Sequence, residues 1–221
     1  MATLRYNAIK ATSGAVMKKN VLLLSAALIF VFSSLTCEMK VLAFAGSIRE
    51  DSYNKQLIQE AAGIARQMGA SVTVVTLNDF PMAYYDADLE ATYGMPANAK
   101  RFRNLMIQSD AIIIASPEYN SSIPGILKNT LDWASRDENG NPSRTAFTGK
   151  KFAIMSASPS PSGGNRGLVH LQSIIEEVGG EVMSKQVSIS NAHQYFSQKE
   201  RPQNEPLKEE VQQLLLKASK E

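Results

Sequence analysis

Four polar residues near the start of the chain's first helical pattern could bind a phosphate group. They lie within AGSIREDSYNKQ (residues 45–56) and are Ser47, Arg49, Ser52 and Asn54. Hydroxyl, amide and guanidinium groups donate hydrogen bonds, and the following helix presents free N–H groups and the positive end of its dipole. The absence of GxGxxG and GK[ST] disfavours a pyrophosphate or triphosphate loop and leaves a single phosphate, such as a monoester. An ordinary turn, with Ser52 capping the helix and Arg49 solvated, would use the same residues.

A second polar loop follows the apolar run AIII (residues 111–114) and reads SPEYNSSIPGILKNTLDW (residues 116–133). Its two prolines restrict the backbone, so that peptide N–H groups between them could meet the polar edge of a flat ring. Candidate contacts in this loop are Pro117, Glu118, Tyr119 and Asn120. The Glu118 carboxylate could equally accept hydrogen bonds from a helix terminus, which is a structural role.

A third loop, SASPSPSGGNRG (residues 156–167), combines serines and prolines with two adjacent glycines. Adjacent glycines indicate positive φ angles or a close approach of the backbone to another group. The candidate residues are Ser156, Ser158, Gly163 and Gly164. An ordinary flexible connection is the alternative.

The elements that must position these loops alternate between strand and helix patterns. Apolar or β-branched runs predict strands at 40–46, 71–77, 110–116, 149–158 and 181–189, and helical periodicity predicts helices at 53–68, 97–108, 124–133, 165–179 and 204–219. This order predicts an α/β fold: a doubly wound, five-stranded parallel sheet in a three-layer α/β/α sandwich. Ligands of such sheets bind at the carboxyl ends of the strands, where all three loops would lie. Residues 78–96 are predicted to form a long loop.

Composition excludes several other kinds of site. The formal net charge is +2, and residues 1–38 carry four basic residues against one acidic residue, which leaves −1 for the remainder. A nucleic-acid-binding surface is therefore not expected. The chain has one cysteine, Cys37, and two histidines at unpaired spacing, so neither a metal site nor a cysteine nucleophile is predicted after residue 38.

The leading segment allows two interpretations. From Met17 it has two lysines, an apolar run and small residues that end at Cys37, which is the order of a signal peptide. Alternatively, translation begins at Met39 and residues 1–38 are upstream codons. The first interpretation predicts membrane association or export through residues 17–37, and the second predicts a cytoplasmic protein. In both, residues 39–221 form the domain and residues 1–38 an extension.

The loops resemble those of a known family. PEYNSSIPGILKNTLDW resembles the signature loop and helix of the NADPH-dependent FMN reductase family, a flavodoxin-like group that includes quinone, chromate and azo-dye reductases. GSIREDSYNKQL resembles its phosphate loop, GSxRxxSxN, and the segment that begins at GKKFAIMSAS resembles its third flavin-side loop and helix. The resemblance spans residues 39–190 in the family's order.

The resemblance implies FMN as cofactor and NADPH or NADH as co-substrate. It assigns Ser47, Arg49, Ser52 and Asn54 to the FMN phosphate, Pro117 to Asn120 to the isoalloxazine, and Ser156 with the turn from Ser158 to Gly164 to the rest of the pocket. Hydride would pass to flavin N5 and then to a small acceptor such as a quinone, free flavin, chromate or an azo compound, with no catalytic side chain required. It also implies a homodimer or homotetramer. The alternatives are a flavodoxin-like electron carrier and a flavin-binding module without NAD(P)H oxidation.

Overall fold

Short apolar strands, all parallel, form the central sheet of the computed structural model, which describes residues 38–198 and 204–219. The strands are β1 (Lys40–Ala45), β2 (Ser71–Thr76), β3 (Ala111–Ala115), β4 (Lys151–Ala157), β5 (Glu181–Val182) and β6 (Val187–Ile189). The helices are α1 (Tyr53–Gln67), α2 (Ala87–Tyr93), α3 (Ala97–Ile107), α4 (Gly125–Ala134), α5 (Asn165–Glu177), α6 (Ala192–Ser197) and α7 (Glu205–Ala218). Residues of β3 and β4 are buried throughout, as expected for parallel strands covered on both faces.

The strand order is β2-β1-β3-β4-β5, with β6 also paired to β4. The predicted fifth strand, residues 181–189, is thus two short strands: β5 pairs with the start of β4 and β6 with its end. Because both lie along the same edge of β4, they fill one position of the sheet. The predicted doubly wound, five-position parallel sheet is confirmed, and its order reverses between β1 and β3.

Alternate strand residues pack into two separate hydrophobic cores, one on each face of the sheet. On one face, Val41, Ala43 and Ala45 pack with α1 and α7. On the other face, Leu42 and Phe44 pack with α3, α4 and α5. The alternation follows from the two-residue period of a strand, and it fixes which helices flank each face.

The predicted loop at 78–96 contains a helix that periodicity did not reveal. Its seven residues, Ala87–Tyr93, are too few to show a helical period, but Asp86 caps them by accepting hydrogen bonds from the N–H groups of Asp88 and Leu89 at 2.8 and 3.0 Å. The loop before it is fastened to α4, because the Ala83 carbonyl accepts hydrogen bonds from Asn129 and Trp133. The short helix α6 was also not predicted from the sequence.

The two interpretations of residues 17–37 concern a segment outside the described residues. The described residues from Met39 onward form one compact unit. Within the described part of the chain, no helix has the length and apolar character needed to cross a membrane.

Candidate functional site

The three polar loops converge at the carboxyl edge of the sheet, beside the point where the strand order reverses. They surround a cleft of about 200 Å³, here named the edge cleft. Eight of the predicted site residues line it, together with Tyr53, Ala157 and Pro159: Ser47, Arg49, Ser52, Asn54, Pro117, Glu118, Tyr119 and Ser158. Asn120, Ser156, Gly163 and Gly164 are in the same loops but do not line the cleft.

Two buried serines mark the inner end of the edge cleft near the N-terminus of α1. Ser47 is 4% exposed and Ser52 is 3% exposed. Ser52 occupies the N-cap position, but its hydroxyl makes no capping hydrogen bond, and no acidic residue lies in the first turn of α1. The structure therefore shows Ser52 at the N-cap position without the side-chain hydrogen bond that the alternative interpretation of this loop requires. The hydroxyl remains available to a group in the cleft, in a position where the helix dipole favours an anion.

Asn54 connects two loops instead of facing the cleft with its whole amide. Its Nδ2 donates to the Ala157 carbonyl at 2.9 Å, and its Oδ1 accepts from the Ala157 N–H at 2.9 Å. These two buried hydrogen bonds join the start of α1 to the end of β4. Asn54 therefore sets the spacing between the first and third loops.

Arg49 lies at the rim of the edge cleft. Its side chain is exposed, donates to the Asp51 carbonyl at 2.7 Å, and lies 5.9 Å from the centre of the Tyr53 ring. The two buried serines are thus the inner donors, and the guanidinium is an outer one.

The second loop contains a tight turn with unusual backbone angles. Tyr119 and Ser122 exchange backbone hydrogen bonds at 2.8 and 3.0 Å, and between them Asn120 and Ser121 have φ angles of 51° and 65°. Asparagine tolerates this left-handed region, whereas serine adopts it only at a cost in conformational energy. The turn holds Tyr119 half exposed at the cleft.

The glycines of the third loop allow its backbone to pass close to the end of the sheet. A Cβ atom at Gly163 would lie 2.1 Å from the Ser188 hydroxyl, and one at Gly164 would lie 2.0 Å from the Ser156 hydroxyl. Both residues also have positive φ angles, 63° and 92°. Ser156 is fully buried beneath Gly164, and its Oγ has no hydrogen-bond partner among the described residues.

Glu118 occupies the N-terminus of α5. Its carboxylate accepts hydrogen bonds from the N–H groups of Arg166 and Gly167 at 3.0 and 3.2 Å and from the Arg166 guanidinium at 2.9 Å. Burial would raise the pKa of Glu118, but these hydrogen bonds and the nearby guanidinium outweigh burial, and the pKa lies below its usual value. Of the two roles considered for Glu118, the structure shows the helix-terminal one.

Sequence reasoning missed three contributors to this region. Tyr53 lines the cleft, and Arg166 and Gly167 bind the Glu118 carboxylate. The glycines before Arg166 were a signal for close approach, but nothing in the sequence indicated a partner 48 residues away. His170 is exposed, and its Nδ1 lies 3.0 Å from the Ser122 hydroxyl.

The donors in the edge cleft suit FMN. Its inner end offers two buried hydroxyls beside a helix N-terminus without a capping side chain, which fits a phosphate. Among the described residues that line the cleft, the one carboxylate is that of Glu118, and it is neutralised by Arg166. A volume of about 200 Å³ is below the ~300–1,000 Å³ of enclosed ligand pockets, so part of a flavin would remain accessible.

The fold is a flavodoxin-like α/β sandwich, and the edge cleft lies at the carboxyl edge of its sheet, where ligands of such folds bind. The sequence model of the family described as NADPH-dependent FMN reductase matches residues 39–194. The chain therefore belongs to the NADPH-dependent FMN reductase family, and it is an oxidoreductase with FMN as cofactor and NAD(P)H as co-substrate.

Individual relatives agree with this assignment. An NAD(P)H-dependent FMN reductase of Pseudomonas aeruginosa is 36% identical over 179 residues, which cover 80% of this chain and 92% of the relative. A quinone reductase of Escherichia coli K12 is 32% identical over 148 residues, 67% of this chain and 75% of the relative. The structure of FerB, a flavoenzyme NAD(P)H:(acceptor) oxidoreductase from Paracoccus denitrificans, matches with a TM-score of 0.65 and 25% identity over 82% of this chain and 98% of that chain.

Proposed function

We propose that the protein transfers electrons from NAD(P)H through FMN to a quinone. The observation that carries this proposal is an open cleft with Tyr119 at its rim, 53% exposed, which offers a planar acceptor a face to stack on. The relatives named quinone reductase support the same acceptor. Free flavin, chromate and azo compounds are the other acceptors that the open cleft could admit.

In this proposal the inner end of the edge cleft holds the FMN phosphate. Ser47 and Ser52 donate hydroxyl hydrogen bonds there, the N-terminus of α1 adds its dipole, and Arg49 contributes a positive charge from the rim. Asn54 acts indirectly, because its amide keeps the first and third loops at the correct separation. Ser158 closes the cleft from the side of β4.

The outer part of the cleft holds the flavin ring. Pro117 and Tyr119 form one wall, and the turn after Tyr119 keeps this wall rigid. Gly164 lets the third loop pass over Ser156, and Gly163 lets it pass close to Ser188, without a steric clash. The chemistry supplied by bound FMN is acceptance of a hydride from NAD(P)H and delivery of two electrons to the acceptor. The protein's own residues bind and orient the reactants, and we assign no side chain a proton-transfer role.

We also propose that the protein forms a homodimer or homotetramer. Support comes from the large apolar side chains exposed around α2: Tyr84 is 77% exposed, Tyr93 is 80% exposed and Leu89 is 45% exposed. Such side chains are more often exposed at subunit contacts than elsewhere on a monomer. Light scattering gives the molar mass, and a strictly monomeric, fully active protein would contradict this proposal.

Steady-state oxidation of NADPH and of NADH tests the function, with FMN-loaded protein and with benzoquinone, free FMN or no acceptor added. We expect rapid oxidation only when the quinone is present. FMN binding without NAD(P)H oxidation would mean an electron carrier or a flavin-binding module. Faster turnover with free FMN than with the quinone would contradict the quinone proposal.

Substitution of Tyr119 tests the acceptor site directly. Tyr119→Ala should raise the KM for benzoquinone about tenfold, because a stacking face worth about 1 kcal/mol or more is lost. Leu216→Ala is the matched control, since Leu216 is 47% exposed on α7 and does not line the edge cleft. An unchanged KM in Tyr119→Ala would remove Tyr119 from the site.

A further inference from the structure

The first turn of α5 binds a carboxylate that comes from the flavin-side loop of the same chain. Glu118 Oε2 accepts the N–H groups of Arg166 and Gly167, and Glu118 Oε1 lies 2.6 Å from a terminal nitrogen of the Arg166 guanidinium. Hydrogen bonds from both backbone and guanidinium make this a strong, charge-assisted contact. The second loop is therefore fastened to the start of α5.

The glycine at the first turn of α5 makes this contact possible. A Cβ atom at Gly167 would lie 3.2 Å from the Ser122 carbonyl oxygen and 3.4 Å from the Glu118 Cα, tighter than most packing distances. One turn farther along the helix, His170 Nδ1 lies 3.0 Å from the Ser122 hydroxyl. Glu118, just before the loop's tight turn, and Ser122, the last residue of that turn, are thus held by one helix.

The two charged partners differ sharply in burial. The Glu118 side chain is 8% exposed and lines the edge cleft, whereas the Arg166 side chain is 66% exposed. Without Arg166, a nearly buried negative charge would remain beside the cleft. Without the Glu118 charge, a solvated positive charge would remain. The pair is therefore asymmetric, and its net charge at the cleft is zero only while both partners are intact.

We propose that Glu118 and Arg166 are positioning residues which hold the two flavin-side loops together and set the reduction potential of bound FMN. The proposal rests on the function proposed above, because it places the flavin ring in the cleft that Glu118 lines. Reduced flavin carries more negative charge than oxidised flavin, so an uncompensated carboxylate disfavours the reduced form and an uncompensated guanidinium favours it.

The two partners then have effects of opposite sign. Arg166→Met should lower the flavin midpoint potential, and Glu118→Gln should raise it. The ratio of Kd values for reduced and oxidised FMN should change about tenfold in each direction, the size expected of one unit charge in partly buried surroundings. A contact that only holds the fold together would weaken FMN binding in both variants without this reversal of sign.

The experiment measures the midpoint potential of the FMN-loaded protein by equilibration with redox dyes, followed by flavin absorbance. Arg166→Lys retains the charge but loses the forked hydrogen bonding, so its potential should stay near the wild-type value. Arg144→Met is the matched control: it removes an exposed guanidinium that faces Glu177 at 3.7 Å, at the far end of α5 from the cleft. Because the length of α5 separates Arg144 from the cleft, salt screens the Arg144 charge from the flavin.

Three results would overturn the proposal: equal potentials in wild type and Arg166→Met, shifts of the same sign in Arg166→Met and Glu118→Gln, or an equal shift in Arg144→Met. Arg166 is exposed, so its variants test the sign even if Glu118→Gln folds poorly. Failure of the wild-type protein to bind FMN would instead contradict the proposed function. Wild-type binding with unshifted variant potentials contradicts the inference alone.

Discussion

The N-termini of α1 and α5 both border the edge cleft, but they are completed differently. At α1 the N-cap hydroxyl of Ser52 makes no capping hydrogen bond and the first turn carries no acidic residue. At α5 the Glu118 carboxylate binds the first N–H groups. A free helix N-terminus attracts an anion, and one that already holds a carboxylate is satisfied. The end of the cleft at α1 can therefore bind a phosphate, whereas the α5 terminus with Glu118 forms part of the cleft wall.

A second carboxyl group, at a different place in the fold, shows what the α5 terminus contributes. Glu210, on α7, is 1% exposed, and its Oε1 has no hydrogen-bond partner among the described residues. Burial raises its pKa to about 7, although Lys217 and Lys185 oppose the shift. Glu118 is less deeply buried, with an 8% exposed side chain, and its pKa is lowered. At Glu118 the hydrogen bonds of the helix terminus and of Arg166 outweigh desolvation, whereas at Glu210 desolvation prevails.

The largest expected effect concerns the glycine that lets α5 begin where it does. Gly164→Ala should lower the free energy of unfolding by about 3 kcal/mol or more, because its Cβ would meet the Ser156 hydroxyl and its φ of 92° disfavours alanine. Gly63→Ala is the control: nothing lies within 4 Å of the added Cβ, and this site within α1 should gain about 0.5 to 1 kcal/mol. Denaturant titration measures both, and equal effects would show that close approach at Gly164 is unimportant.

The next largest effect concerns the dependence of the unfolding free energy on pH, which reports the cost of burying the Glu210 carboxyl group. Its folded-state pKa of about 7 exceeds the ordinary 4.5, so the folded state binds the proton more tightly. Its contribution to stability is complete below pH 4.5 and is lost as pH rises towards 7, by about 3 kcal/mol in all. Glu210→Gln should remove this part of the pH dependence, measured by denaturant titration from pH 4.5 to 8. The adjacent Glu209→Gln should keep it; an unchanged profile in Glu210→Gln would contradict the assignment.

Removal of the carboxylate at α5 should have a somewhat smaller effect. Glu118→Ala leaves the Arg166 and Gly167 N–H groups without their acceptor, and we expect the FMN-free protein to lose about 2 kcal/mol of unfolding free energy. The lowered pKa of Glu118 means that the contribution is present above pH 4.5 and is lost as pH falls below it. If Glu118→Ala and wild type unfold at the same denaturant concentration at pH 7, Glu118 does not secure this terminus.

The smallest effect belongs to the open terminus and should appear in ligand affinity alone. Ser52→Ala should weaken FMN binding about tenfold, the size of one hydrogen bond to a charged group, while the unfolding free energy changes by less than about 0.5 kcal/mol. Fluorescence titration of FMN measures the affinity. Ser184→Ala, at an exposed serine between β5 and β6, should change neither quantity. If Ser52→Ala lowers the free energy of unfolding without weakening FMN binding, the N-terminus of α1 contributes to stability, as that of α5 does, and not to ligand binding.

Much of the architecture could be predicted from local patterns. Buried parallel strands are continuous apolar runs, and AIII needed only its composition and length to be recognised. The helix at Ala87–Tyr93 and the break between β5 and β6 were missed because elements of two to seven residues carry too little periodicity. Eight of the predicted site residues line one cleft, since chain order alone brings the loops after β1, β3 and β4 to the same edge.

The sequence by itself determined which loops meet at the carboxyl edge and which donors they bring, because strand direction and loop composition are local properties. Only the tertiary structure decided which of those groups face the cleft and which bind another loop. The exchange of hydrogen bonds between Asn54 and Ala157, the burial of Ser156 beneath Gly164 and the pairing of Glu118 with Arg166 join residues from 8 to 103 positions apart. Such partners are selected by packing and by hydrogen bonding between distant segments, which no single segment encodes.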